Sequence, residues 1–295
     1  MPASPATREE NIRGATLMMA AMAGFVLNDT LMKVLSDDLP MMQAVFIRGL
    51  FAVLLIGGLA AFRGDLRLRA IPAADRRIAL LRGVAELGST VCFLTALFAM
   101  PIANVTAIML ASPMVLTLIG ATMLGERVGW RRWSAIFVGF FGVMLIVKPG
   151  AETFNQASFW AIGAIFFVCL RDLATRRLSP DMPSLLVSLI TAVAITAMGG
   201  VATLLKGWTP IGAGTVGLLI LAAIFVFGGY VFSVMTMRVG DMGFISPFRY
   251  TNLIWALLLG WMIFGDAPGP VTLLGAGLVV AAGVYTFIRE SQVSR

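Results

Sequence analysis

Arg48, Arg82 and Arg249 stand inside stretches of sequence that are otherwise largely apolar. Arg249 lies about two turns into the run 242–264 and follows Ser246-Pro247, while Arg82 precedes Glu86 by four residues in the run 77–99. Asp29 and Lys33, also four apart, lie near the end of the first run. A guanidinium offers a planar fork of donors to an anion and stacks on aromatic rings. A carboxylate can answer that charge or carry a proton. Bond-making chemistry needs more than this. The chain has no His among its 295 residues, and it carries no G-x-S-x-G elbow, no H-E-x-x-H motif and no P-loop. These charges point to ligand binding rather than to an enzyme, and no metal or cofactor is expected.

A charged side chain at the centre of a membrane helix costs about 2.5–3.5 kcal/mol on insertion scales. Each therefore needs a partner, a wet cavity or a route to the interface. Around Arg249, helical spacing sets Ser246, Leu253, Ala256 and Gly260 along one face, with Tyr250 and Asn252 flanking it. Pro247 removes a backbone donor and could open the helix, as in many transporter substrate sites. Snorkelling to the headgroups is the alternative for this arginine. Arg82 and Glu86 share a face that continues through Ser89 and Phe93. The pair is either an intrahelical ion pair or a substrate contact with Glu86 as proton acceptor. Arg48 could pair with Asp29, so Asp29, Lys33 and Arg48, with Asp172 as repeat counterpart of Asp29, form a gate or charge cluster. Phe93, Tyr230, Phe248, Tyr250 and Trp255 would suit a planar, polar metabolite through stacking. The expected substrate-binding set is Arg249, Tyr250, Ser246, Glu86, Arg82, Trp255, Phe93 and Asn252.

The elements that must hold these residues are membrane helices. Hydrophobic residues make up 59% of the chain and charged residues 13%, against about 45–50% and 25% in soluble domains. Ten apolar runs approach the ~20 residues of a bilayer helix: 12–35, 41–62, 77–99, 102–124, 131–148, 158–177, 184–205, 214–237, 242–264 and 270–288. The first is too long for a signal-peptide core and is read as an uncleaved span. Cys92 and Cys169 both fall inside apolar runs and imply no disulfide framework.

The chain is internally duplicated. NDTLMKVLSDDLP at 28–40 returns as RDLATRRLSPDMP at 171–183, with Asp29/Asp172, Leu35/Leu178, Ser36/Ser179, Asp38/Asp181 and Pro40/Pro183 matching. PMVLTLIGATMLGE at 113–126 returns as LIWALLLGWMIFGD at 253–266, which aligns the helix-ending Glu126 and Asp266. Two repeats, 1–150 and 151–295, follow. Five spans per repeat is odd, so the second must enter the membrane from the opposite side. The expected fold is an all-α polytopic membrane protein of ten transmembrane helices in two inverted five-helix repeats. Arg249 aligns with Met109 and Arg48 with Thr191; charges on one half only are hard to ascribe to scaffold. Ala135, Gly139, Gly142, Gly275, Gly277 and Gly283 read as close helix packing that could also support a homodimer.

Orientation follows from the loops. With an interior N-terminus, the interior segments hold Arg8 and Arg13; Arg63, Arg67, Arg69, Arg76 and Arg77; Arg127, Arg131 and Arg132; Arg176 and Arg177; Arg238; Arg289 and Arg295. Only Lys33, Lys148 and Lys206 fall outside, fifteen against three. This bias predicts cytoplasmic N- and C-termini. It accounts for the net charge of +7 without nucleic acid; the partners expected are a small-molecule substrate and membrane lipids.

The motifs NDTLMKVL at 28–35, SPMVLTLIGATMLGERVGWRRW at 112–133, GFFGVMLIVKPG at 139–150 and PFRYTNLIWALLLGWMIFGDAPG at 247–269 resemble the drug/metabolite transporter superfamily, in its ten-helix form of two EamA-type domains. Nearly the whole chain is covered. PFRY and ERVGWRRW are similar to the S-adenosylmethionine and riboflavin transporter branches. The resemblance implies a secondary transporter in the bacterial inner membrane, working by alternating access on a vitamin- or cofactor-like metabolite. Export of amino acids or toxic metabolites is the alternative; a channel is less favoured. Coupling to protons and exchange of a second solute both stay open.

Overall fold

The computed structural model describes residues 7–64, 73–123, 129–147, 156–177, 184–236, 239 and 242–293. Gly125-Glu126, the motif segment 178–183, and the loop bases Arg67, Arg69, Arg127, Lys148, Arg238 and Arg295 lie outside the described residues. Among the described residues there are helices, turns and no strand. In order they are α1 (Arg8–Val34), α2 (Met41–Arg63), α3 (Ala73–Ala99), α4 (Ile102–Met109), α5 (Ser112–Met123), α6 (Trp130–Val147), α7 (Gln156–Arg176), α8 (Ser184–Lys206), α9 (Ala213–Thr236), α10 (Met242–Ile245), a 3-10 turn at Ser246–Tyr250, α11 (Thr251–Phe264) and α12 (Pro270–Val293). Among the described residues seven segments are long and apolar enough to cross a membrane, α4–α5 counting as one (Ile102–Thr122). With the shorter Trp133–Val147 and Pro270–Tyr285 and the interrupted α10–α11, the ten expected spans are present.

Local chemistry sets the helix ends. Pro40 and Pro101 stand immediately before α2 and α4, where a missing N–H is harmless. Gly64 (φ 72°) and Gly265 (φ 70°) end α2 and α11 in the left-handed region, which a glycine enters without a Cβ penalty. The Gly265 N–H donates to the Trp261 carbonyl at 3.1 Å, closing the last turn. Inside the helices, threonine hydroxyls donate one turn back: Thr95 to Val91, Thr117 to Pro113, Thr196 to Ala192 and Thr203 to Gly199, each at 2.7–2.9 Å. Polar groups in hydrocarbon are thus answered within their own segment. Phe62 (91% exposed), Leu204 (85%) and Leu205 (82%) face outward, as lipid-facing residues would.

The chain forms two compact units, and neither coincides with a sequence repeat. Unit 1 comprises 1–27, 100–158 and 228–295, and unit 2 comprises 28–99 and 159–227. In unit 1, α6 packs along α12. A Cβ on Gly142 would meet the Gly275 carbonyl at 2.7 Å, and one on Gly275 would meet the Gly142 carbonyl at 2.6 Å. The two backbones touch there. A side chain on Gly139 would collide with Met114 and approach Ala282 at 3.4 Å. Contacts that descend one helix while ascending the other make the pair antiparallel. In unit 2, α2 packs along α8 in the same sense: Gly49 lies against Thr196 and Gly57 against Leu189, while a Cβ on Gly199 would meet the Met42 carbonyl at 2.9 Å. Both pairs join repeat-equivalent helices. A parallel repeat would run such partners in the same direction, so the antiparallel pairs express inverted topology directly. Of the small residues on α6 and α12, Gly277 has open space around it.

Candidate functional site

Unit 1 holds Ser246, Arg249, Tyr250, Asn252 and Trp255 on one interrupted helix. Pro247 falls within the 3-10 turn, where it breaks the α-helical ladder between α10 and α11. The first repeat is interrupted at the corresponding place, since α4 ends at Met109 and α5 begins at Ser112. With the alignment of Met109 to Arg249, the two breaks are equivalent. α4 crosses α11 where Gly260 admits the Ile102 side chain, 3.1 Å from where a Cβ would stand. Leu253, Ala256 and Gly260 are buried and form the packing face of α11. That face, which helical spacing sets in line with Arg249, is buried at these three positions.

The expected residues divide around the break. Ser246 is buried. Tyr250 is 4% exposed and turned toward α12, against Gly283, where a Cβ would collide with its hydroxyl. Trp255, with Phe248 and Phe25, packs against Met18, Ala21, Met22 and Ile245. Phe25 meets Tyr230 edge-on at 5.4 Å, and Phe248 lies 5.7 Å from Phe244. Gly229 lets the Phe25 ring lie on α9, 2.8 Å from where its Cβ would be. Arg249 is half-buried, and among the described residues no carboxylate lies within ion-pair distance of it. The Asn252 Oδ1 and Trp255 Nε1 atoms are buried with no hydrogen-bond partner among the described residues. Each such group costs about 1–3 kcal/mol unless something answers it.

Unit 2 carries two polar layers. In the first, an Arg48 Nη donates to the Asn28 Oδ1 at 2.9 Å, and the Asn28 amide donates to the Asp29 carboxylate at 2.9 Å. Asn28 thus links Arg48 to Asp29. The Lys33 ammonium donates to the Leu97 carbonyl at 2.8 Å, satisfying the last turn of α3. In the second layer Glu86 sits between two guanidiniums: Arg171 of α7 at 3.3 Å and Arg82 at 3.9 Å. Arg82 also donates to the Thr175 hydroxyl at 3.1 Å and the Thr191 hydroxyl at 2.8 Å. Arg171 binds Asp172 at 2.8 Å. Phe93, half-buried, lies two turns along α3 from Glu86.

Thr191 stands opposite a point on α2 about seven residues beyond Arg48, because Gly49 faces Thr196 and Gly57 faces Leu189. Seven residues are roughly 10 Å of helix, so the layers bracket the middle of the α2–α8 pair. Spacing on one helix revealed Arg82 and Glu86. It could not show that the nearer partner of Glu86 is Arg171, 85 residues away in sequence. One signal was present: Arg171 occupies the motif position of Asn28, and both contact the Asp that follows.

Among the described residues no group of three or more His, Cys, Asp or Glu could hold a metal ion. The arrangement suits noncovalent binding, through an arginine at a helix break, aromatic rings and unanswered polar atoms.

Comparison with known proteins agrees in kind. The pattern of the EamA-like transporter family matches residues 12–148 and again 155–288. A riboflavin transporter of Vibrio cholerae serotype O1 is 30% identical over 200 residues, 67% of this chain and 66% of the relative, just under two thirds of its length. An S-adenosylmethionine uptake transporter of Rickettsia prowazekii is 22% identical over 286 residues, covering 95% and 94%. A solved structure titled "Crystal structure of protein" aligns with 95% of this chain and 99% of its own at a TM-score of 0.65 and 15% identity, a likeness of fold. With two consecutive family matches spanning nearly its whole length, the chain belongs to the EamA-like transporter family.

Proposed function

We propose that this membrane transporter is a secondary carrier that moves a vitamin- or cofactor-like metabolite across the bacterial cytoplasmic membrane by alternating access. The observation that carries the reading is Arg249, half-buried at the break between α10 and α11 with no carboxylate in ion-pair reach among the described residues. A charge kept there at a cost of about 2.5–3.5 kcal/mol is best explained by a ligand that answers it. The matching interruption of α4–α5 supports the reading, since paired broken helices mark substrate sites in inverted-repeat carriers. The names of the riboflavin and S-adenosylmethionine relatives supply the substrate class. Ser246, Tyr250, Asn252 and Trp255 are proposed to shape the site around Arg249 within unit 1. Asp29, Lys33, Arg48, Arg82, Glu86 and Asp172 are proposed as gate elements, in the two layers of unit 2.

The test is flux in proteoliposomes. Purified protein should move riboflavin or S-adenosylmethionine without ATP, and Arg249→Ala should lower the rate at least tenfold while inserting normally. Flux that requires ATP and a second protein removes secondary transport. Undiminished flux by the variant removes Arg249 from the site.

A further inference from the structure

We propose that Asn252 and Trp255 form the hydrogen-bonding station for the substrate, and that they read a planar heteroaromatic ring presenting an N–H beside a ring carbonyl or imine. This rests on the transport reading above and goes beyond it by naming the edge that is recognised. Both polar atoms are buried and lack partners among the described residues. A tryptophan Nε1–H only donates and an amide oxygen only accepts. The residues are three apart on α11, hence neighbours on its surface. One donor beside one acceptor complements a lactam, imide or amidine edge, whereas an anion would call for donors alone.

The surroundings favour a flat ligand. Trp255 shares its cluster with Phe248 and Phe25, and Phe25 meets Tyr230 edge-on. The positions that align with Asn252 and Trp255 in the first repeat are Ser112 and Val115, so the pair belongs to one half only. A scaffold role fits poorly, because apolar side chains could pack this face without burying the two polar atoms unanswered among the described residues.

Thermal melting and equilibrium binding of the purified protein test this, with Asn252→Leu and Trp255→Phe beside the wild type. Without ligand Asn252→Leu should melt no lower than wild type, since it removes an atom that has no partner among the described residues, whereas Trp255→Phe also loses packed ring volume and is read by binding alone. Wild type should bind riboflavin or S-adenosylmethionine. It should bind the corresponding 3-methylriboflavin or N6,N6-dimethyl analogue at least tenfold more weakly. Asn252→Leu should bind the parent about as weakly as the methylated analogue, having lost the acceptor for the N–H. Trp255→Phe should bind the parent more weakly yet still discriminate. An Asn252→Leu variant that melts several degrees lower shows that the amide has a partner inside the protein, and that result overturns the proposal. So does unchanged binding and discrimination by both variants. Binding confined to non-aromatic solutes in a panel with uridine and the amino acids, or no binding at all, overturns it too. Failure of the transport reading shows separately, as a wild type that binds these rings but moves none without ATP.

Discussion

Glu86 balances two guanidiniums, and its carboxylate is the one negative charge within reach of both Arg82 and Arg171 among the ion pairs described. The side chains are 11–28% exposed, so solvent screens them only in part. Replacing Glu86 by Gln would leave two half-buried cations facing a neutral amide, with Arg171 still paired to Asp172. Breaking a buried pair from one side costs about 3–5 kcal/mol, mostly for the charge left behind. Glu86→Gln is expected to lose about 3 kcal/mol in denaturation of the purified protein, and adding Arg171→Gln should recover part of it. A single variant as stable as wild type would mean the network contributes nothing. The Arg82–Glu86 contact was legible from a four-residue spacing. The Arg171 contact was not, because it depends on which faces of α3 and α7 meet.

At the scale of elements, the glycines of α6 and α12 do different jobs, and sequence spacing alone treats them alike. Gly142 and Gly275 lie in backbone contact, whereas a Cβ on Gly277 meets nothing within 4 Å. Helix association in lipid depends on such close approach, because hydrocarbon offers no hydrophobic drive between helices. Gly142→Ala should destabilise by about 1–3 kcal/mol, since the carbonyl at 2.7 Å cannot yield without separating the helices. Gly277→Ala should be neutral or slightly stabilising, as alanine is the better helix former by roughly 1 kcal/mol. Thermal melting in detergent reads both. Equal losses would mean the pair is held together elsewhere. The helices themselves were visible as apolar runs, and Pro247 marked the break between α10 and α11. The break between α4 and α5 falls inside a run read as one span, Ile102 to Met123, although Pro113 stands beside it.

For the whole molecule, inverted repeats were legible from an odd number of spans per half, and the antiparallel packing of α2 with α8 and of α6 with α12 expresses them. What counting could not supply is that each compact unit mixes both halves, since that depends on which helices pack. The packing also fixes which loops share a face. Gln43, at the start of α2, exchanges hydrogen bonds with the Thr209 backbone in the α8–α9 connection: its amide donates at 2.7 Å and its oxygen accepts at 3.0 Å. Asp37 and Trp208 therefore belong on one face of the membrane, while Arg76 and Arg177 lie at the opposite ends of α3 and α7. Packing cannot say which face is outside; the loop charges can, because cytoplasmic loops collect arginine and lysine. Cys92 and Cys169 are buried, which keeps labelling background low. Single cysteines placed by Asp37→Cys and Trp208→Cys should react with an impermeant maleimide in intact cells. Arg76→Cys and Arg177→Cys should react only after permeabilisation. The reverse pattern would invert the orientation but keep the pairing. Labelling of Asp37→Cys and Trp208→Cys from opposite faces would contradict the packing of α2 against α8, and with it the inverted repeat.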